Sequence, residues 1–183
     1  MMDKDLIRSE LLAERLKLTR ADVIEKSQKI AINLLKLKIF AINNNVSCYL
    51  PIKNEVETKF VIEQLIKTRV NIYLPYSREN EYFFAKFDGL GDLKKGPYGI
   101  LQPNGSKRTD AKIIAVAILP GVAFSKDGVR LGYGKGVFDK LLTRSPALKI
   151  GLAYDFQIID NLPKEKHDLG MDFIVTDQKV YKS

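Results

Sequence analysis

VSCYLPIKNEVETKFVIEQLIKTRVNIYLP, residues 46–75, decides the fold. Val46 to Leu50 is a short apolar strand ended by Pro51, a helix is predicted from about Val56 to Lys67, and a second strand, Val70 to Leu74, stops at Pro75. This strand-helix-strand unit favours parallel pairing with a right-handed crossover.

Working outward, residues 3–18 read as an amphipathic helix with Leu6, Ile7, Leu11, Leu12 and Leu16 on the buried side. Thr19 with Asp22 has the spacing of a capping box, opening a second helix that is expected to reach about Ala41 through Val23, Ile24, Ile30, Leu34, Leu35 and Leu37. Beyond the central unit, Glu81 to Phe87 is a strand candidate, and the Gly-, Pro- and Lys-rich stretch Asp88 to Arg108 reads mostly as loop. Ile113 to Leu119 is a buried-type strand, Val137 to Leu142 a helix, and Leu148 to Ala153 and Phe173 to Thr176 are later strands. Alternating strands and helices indicate an α/β fold, a layered and mostly parallel sheet with flanking helices. With 183 residues, no repeat and no linker, residues 1–183 are expected to form a single domain. In such sheets ligands collect beyond the carboxyl ends of the strands, so segment 50–57 and loop 128–139 are expected to face one cleft.

LPGVAFSKDGVRLGYGKGVFDKLL, residues 119–142, carries the chemistry. Gly128, Gly132, Gly134 and Gly136 permit left-handed backbone and close approach to a ligand, while Arg130 and Lys135 add positive charge. The helix that follows would aim its N-terminal amides at an enclosed anion. The pattern is not GxxxxGK[ST], because Gly136 follows Lys135. A flexible turn between strand and helix would explain the glycines as well. Lys4 and Arg8, four apart on a helix, share a face as two phosphate-binding cations would, yet a solvated basic face fits the same spacing. Glu55 and Glu57 would suit a helix N-terminus on dipole grounds, worth ~0.5 kcal/mol.

The net charge of +8 suits phosphate polymers, but equally a small polyanionic ligand such as ATP. The cations are spread along the chain without an RNA-binding aromatic signature, so no nucleic acid partner is expected. No apolar run approaches the ~20 residues of a bilayer span, so no membrane partner is expected either, and MMDKDLIRSELL lacks a signal-peptide core. The expected location is cytoplasmic. One cysteine, Cys48, excludes a disulfide framework and reads as a buried, inert thiol, and a single His167 cannot build a histidine-rich metal cluster.

RLGYGKGVFD at 130–139, following PGVAF at 120–124, resembles the signature of the 5-formyltetrahydrofolate cyclo-ligase family, also called methenyltetrahydrofolate synthetases. Lys4-Asp5-Leu6-Ile7-Arg8 is similar to that family's N-terminal K-x-x-x-R, and Tyr49 to Thr58 to its folate-contacting segment. Leu162-Pro163 through His167-Asp168, then Asp172 to Asp177, resemble its terminal pattern. The resemblance implies a Rossmann-like α/β fold and ATP-dependent conversion of 5-formyltetrahydrofolate to 5,10-methenyltetrahydrofolate, ADP and phosphate, with Mg²⁺ and with small molecules as partners of a monomer. It implies nucleotide contacts from Lys4, Asp5, Leu6, Ile7 and Arg8 and from Arg130, Leu131, Gly132, Tyr133, Gly134, Lys135, Gly136, Val137 and Phe138. It further implies that Arg130 and Lys135 act on the transferring phosphoryl group, Leu50 and Glu55 on the folate, and Asp139 and Asp168 on the metal. Two positions depart from the family pattern: Val137 stands where an aromatic is common, and Tyr133 occupies a variable position. The rival reading is a non-catalytic nucleotide, sugar-phosphate or RNA-binding module.

Overall fold

The computed structural model describes residues 3–79, 81–96, 99–104, 107–165 and 168–183; His167 lies outside them. Helices α1 (Lys4–Leu16) and α2 (Arg20–Leu35) precede strand β1 (Asn45–Ser47), and α3 (Lys59–Lys67) leads from it to β2 (Asn71–Arg78). Next come β3 (Glu81–Phe87), the hairpin β4 (Leu93–Lys95) and β5 (Leu101–Pro103), and β6 (Val116–Leu119). A small ladder of β7 (Ala123–Phe124) with β8 (Arg130–Leu131), then α4 (Val137–Leu142), β9 (Leu148–Leu152), β10 (Phe173–Val175) and β11 (Val180–Lys182) complete the chain.

Seven strands form one sheet in the order β11-β10-β9-β6-β1-β2-β3. The five from β10 to β2 run parallel, as the 46–75 stretch implied, and the edge strands β3 and β11 are antiparallel. Counting the parallel strands along the chain gives the order 2-1-3-4-5, a doubly wound arrangement whose direction reverses between β1 and β6. That reversal opens a crevice beyond their carboxyl ends.

Period-two alternation builds a core on each face. Val116 and Ile118 of β6 join Val46, Ile72, Ile150 and helical Ile30, Leu34 and Leu65, whereas Ala117 and Leu119 join Phe124, Leu142 and Ile174. A third cluster seats α1, through Ile7 and Leu11, on Val122, Ala123, Val129 and Leu131 of the β7–β8 segment. Cys48 is fully buried in the first core and burial pushes its thiol up to about 12, so it is inert.

Several boundaries move for identifiable reasons. In α1, Leu6 and Leu16 are each 56% exposed, and Arg15 takes the place in the buried stripe. The capping box at Thr19 is present, but α2 stops at Leu35: its end tightens into i, i+3 bonds (Leu37 N to Leu34 O, 3.1 Å) and a left-handed Lys38, and Phe40 is buried instead. Residues 56–58 are not helical, because the Thr58 hydroxyl donates to Tyr49 O (2.7 Å) and the Glu57 N–H to Ser27 Oγ (2.8 Å), which docks them flat. Pro75 does not end β2. It faces the same edge as Tyr73, whose carbonyl accepts from Cys48 N, and β1 leaves that edge beyond Cys48, so the missing N–H forfeits no ladder bond. Residues 111–113 form a turn that Asp110 caps, shortening β6, and β4, β5 and β11 were not expected.

Gly151 in β9 faces Phe124, and a Cβ there would run into the ring. Gly151→Ala should therefore overpack this core and lower stability by ~1–3 kcal/mol, with part of the loss recovered by adding Phe124→Leu. Urea unfolding of the two variants checks this; an unchanged midpoint for Gly151→Ala would contradict it.

Candidate active site

The loop that leaves β1 turns sharply at the crevice. Lys53 and Asn54 both take left-handed backbone (φ 48° and 55°), a strain of order 1–3 kcal/mol for a residue such as lysine. It is held in place from two sides. Glu55 accepts from Ile52 N through Oε2 (2.9 Å) while its own N–H donates to Ile52 O (2.9 Å), and Asn54 Nδ2 donates to Leu18 O beyond α1 (3.0 Å). The turn buries the Glu55 carboxyl in the wall of a cavity of about 480 Å³. Leu50, Pro75, Tyr76, Tyr82, Leu101 and Phe138 give that cavity its mostly apolar surface. The β4–β5 hairpin forms its outer wall because the Gln102 side chain pairs with Ser77 like a strand, accepting from its N–H (3.0 Å) and donating to its carbonyl (3.2 Å).

A second cavity, about 270 Å³, adjoins it and is basic. Lys4 and Arg8 of α1 line it together with Arg130, the glycine loop 131–136, Val137, Phe138, Asp139, Glu165 and Asp168. Gly134 and Gly136 take left-handed backbone (φ 90° and 60°), so the loop can wrap inward at both positions. Gly132 instead gives room to the Arg130 guanidinium, and Gly128 belongs to the β7–β8 turn. Arg8 Nε donates to Gly132 O (2.9 Å), tying the loop to α1. Arg130, largely buried, donates to Asp139 Oδ2 (2.8 Å) and Pro120 O (3.2 Å), while its Nε is buried without a partner among the described residues. Lys4 pairs with Asp168 (2.9 Å) and Glu165 (3.0 Å); burial opposes its charge, but these bonds hold its ammonium above the usual range.

Both cavities share Tyr133, Lys135, Val137 and Phe138 as a common wall. Beneath it lies Arg15, 1% exposed. Its guanidinium donates to Lys53 O (3.0 Å), to Gly121 O (3.1 Å) and to the Tyr133 hydroxyl, which lies on the side of Glu55. Burial pushes the Glu55 carboxyl up to about 7, against the opposing pull of the Ile52 N–H, Arg15, the Tyr133 hydroxyl and Lys53. Burial and the facing Glu55 charge likewise push the Tyr133 phenol up to about 12, so it stays a donor at neutral pH.

The structure thus brings Lys4, Arg8, Arg130 through Phe138, Asp139 and Asp168 to one cavity, and Leu50 and Glu55 to its neighbour. Asp5, Leu6 and Ile7 line neither: Asp5 pairs with Arg8, Leu6 is exposed and Ile7 packs in the α1 cluster. Asp139 and Asp168 stand as two carboxylates beside cations, and among the described residues no group of three metal-binding side chains exists. Two carboxylates suffice for Mg²⁺ when phosphate and water complete its shell, so the pair fits a phosphate-borne metal and not an all-protein cage. Sequence reasoning missed Arg15, although 7, 11 and 15 form one helical stripe, and missed the cavity wall made by Tyr76 of β2, Tyr82 of β3 and Leu101 of the hairpin. No described helix is long and apolar enough to cross a membrane.

The model of the 5-formyltetrahydrofolate cyclo-ligase family matches residues 1–177. The 5-formyltetrahydrofolate cyclo-ligase of Mycoplasma pneumoniae is 31% identical over 97% of this chain and 100% of its own length. The probable 5-formyltetrahydrofolate cyclo-ligase of Schizosaccharomyces pombe is 30% identical over 89% of this chain and 90% of its own. The solved 5,10-methenyltetrahydrofolate synthetase of Aquifex aeolicus superposes with a TM-score of 0.90 at 33% identity, covering 99% of this chain and 93% of that one. Matched along nearly its whole length in sequence and in backbone alike, this chain belongs to the 5-formyltetrahydrofolate cyclo-ligase family.

Proposed function

We propose that the chain converts 5-formyltetrahydrofolate and MgATP to 5,10-methenyltetrahydrofolate, ADP and phosphate. The observation that carries this is the pairing of a mostly apolar cavity holding a buried carboxylate with a basic, glycine-lined cavity across one shared wall. The first suits a flat heteroaromatic ring system with N–H donors for Glu55; the second suits a polyphosphate. Their junction at Lys135 and Phe138 is where a formyl oxygen would meet a terminal phosphate.

The chemistry needs the phosphate because a formamide oxygen is a poor leaving group. That oxygen attacks the terminal phosphorus and ADP departs; the neighbouring folate amine then attacks the activated carbon, loses its proton, and phosphate leaves with the former formyl oxygen. Positioning and charge neutralisation carry such a reaction, and no protein nucleophile is required. Arg130, Lys135, Lys4 and Arg8 neutralise phosphate charge, Leu50 and Glu55 seat the folate, and Phe138 separates the two ligands. Asp139 and Asp168 would hold Mg²⁺, which supplies further charge neutralisation on the phosphates. The protein acts as a single-domain monomer in the cytoplasm, on small molecules alone. Mixing protein, 5-formyltetrahydrofolate and MgATP should produce the methenyl absorbance band only when both substrates are present. Absence of that band refutes the reading, and tight RNA binding without turnover would favour the rival module.

Three substitutions sharpen the assignment. Lys135→Ala, at an exposed residue, should lower turnover by about 10²-fold or more at saturating ATP, the scale seen when preorganised charge stabilisation is removed. Steady-state kinetics decide it, and near-normal turnover contradicts the role. Glu55→Gln should weaken folate binding by roughly 1.5–3 kcal/mol and leave nucleotide binding nearly unchanged. Because the ionised carboxylate is the acceptor and its pKa is raised to about 7, wild-type folate affinity should fall as pH drops through that value, and the variant should lose this dependence. Calorimetric titration with each ligand across pH 6 to 8 measures both effects. Asp139→Asn should raise the magnesium concentration needed for activity, with excess magnesium restoring part of the rate. It should also lower the melting temperature, since buried Arg130 loses its charged partner. Wild-type magnesium dependence would move the metal site elsewhere.

A further inference from the structure

Tyr133 occupies a place that neither cavity alone explains. Its backbone stands between Gly132 and left-handed Gly134 in the nucleotide loop, while its hydroxyl accepts from Arg15, which also donates to Lys53 O in the turn of Glu55, and faces Glu55 in the wall of the folate cavity. Its ring lies 5.6 Å from both the Arg15 guanidinium and the Lys53 ammonium. The groups that bear on Glu55 are Arg15 from α1, Lys53 from its own turn, Tyr49 after β1, Tyr154 after β9, and Tyr133. Of these, Tyr133 is the one that belongs to the glycine loop. A shift of that loop around a phosphate therefore moves the phenol beside the Glu55 carboxylate and, through Arg15, the turn that carries it, and a folate that fixes Glu55 fixes the phenol and the loop.

Resting on the cyclo-ligase reading, we propose that Tyr133 is a positioning residue that couples the two substrates: through its hydroxyl, folate seated at Glu55 orders the nucleotide loop, and nucleotide seated in the loop holds Glu55 for folate. Such coupling is reciprocal by linkage, so each ligand tightens the other by one common factor.

The test is calorimetry of ADP with and without saturating 5-formyltetrahydrofolate, on wild type and Tyr133→Phe, which keeps the ring and deletes the hydroxyl. Wild type should show tightening of at least about 5-fold, the lower end of measured couplings. Tyr133→Phe should bind ADP alone within about 3-fold of wild type but show less than about 2-fold tightening, against that same coupling range. The pH midpoint for folate binding should also move above about 7, because the Tyr133 hydroxyl that favours the ionised Glu55 carboxylate is gone. Glu55→Gln should lose the coupling as well, and the double variant should lose no more than either single one. Coupling retained in Tyr133→Phe overturns the proposal, as does equal weakening of ADP binding alone, which would make Tyr133 a phosphate contact. A wild type that makes methenyl product but shows no tightening overturns the coupling alone, whereas one that neither binds nor turns over 5-formyltetrahydrofolate overturns the cyclo-ligase reading and this inference with it.

Discussion

The site depends on one buried guanidinium. Arg15 reaches from α1 into the crevice and donates to three separate loops: Lys53 O in the turn after β1, Gly121 O in the turn after β6, and the Tyr133 hydroxyl in the glycine loop. A charge at this depth is tolerated where its donors are satisfied and an opposite charge is near, and Glu55 supplies the latter without touching it. The dependence runs both ways. The strained turn at Lys53 and Asn54 exposes the carbonyl that Arg15 needs, and the bond from Arg15 helps hold that turn in place.

The sheet makes this convergence possible. Because strand order reverses between β1 and β6, their carboxyl ends diverge and the segments after them face each other across a gap. Helix α1 closes the gap from outside, seated by Ile7 and Leu11 on the apolar face of the β7–β8 ladder. The same helix thus delivers Lys4 and Arg8 to the basic cavity and Arg15 beneath both. Lys4, Arg8 and Arg130 at the basic cavity are each met by a carboxylate or carbonyl, so they are oriented before any ligand arrives.

Much of this was legible in the sequence, and what was not has a common physical cause. The strand-helix-strand unit at 46–75 announced the parallel sheet because its signals are local: two apolar runs, two prolines and a helical spacing between them. The glycine loop and its cations were equally plain, and the order of family-like segments tied Lys4, Glu55 and Asp168 to it. Arg15 stayed hidden because a charged residue on an amphipathic helix defaults to solvent, and the carbonyls that satisfy it lie 38 and 106 residues away. The β4–β5 hairpin was read as loop for a similar reason, since its anchor is a side chain, Gln102, completing the edge of a strand 25 residues earlier. Pro75 misled because a proline ends a strand only where its edge still has a partner.

The most direct test of the account is amide hydrogen exchange on Arg15→Lys, which keeps a charge but cannot span three acceptors at once. If one guanidinium ties the loops together, exchange should quicken jointly in 51–55, 120–124 and 130–136 while the central strands β1, β6 and β9 keep wild-type protection. Unchanged exchange in those loops, or quickening confined to one of them, would show that the site is held by something other than Arg15.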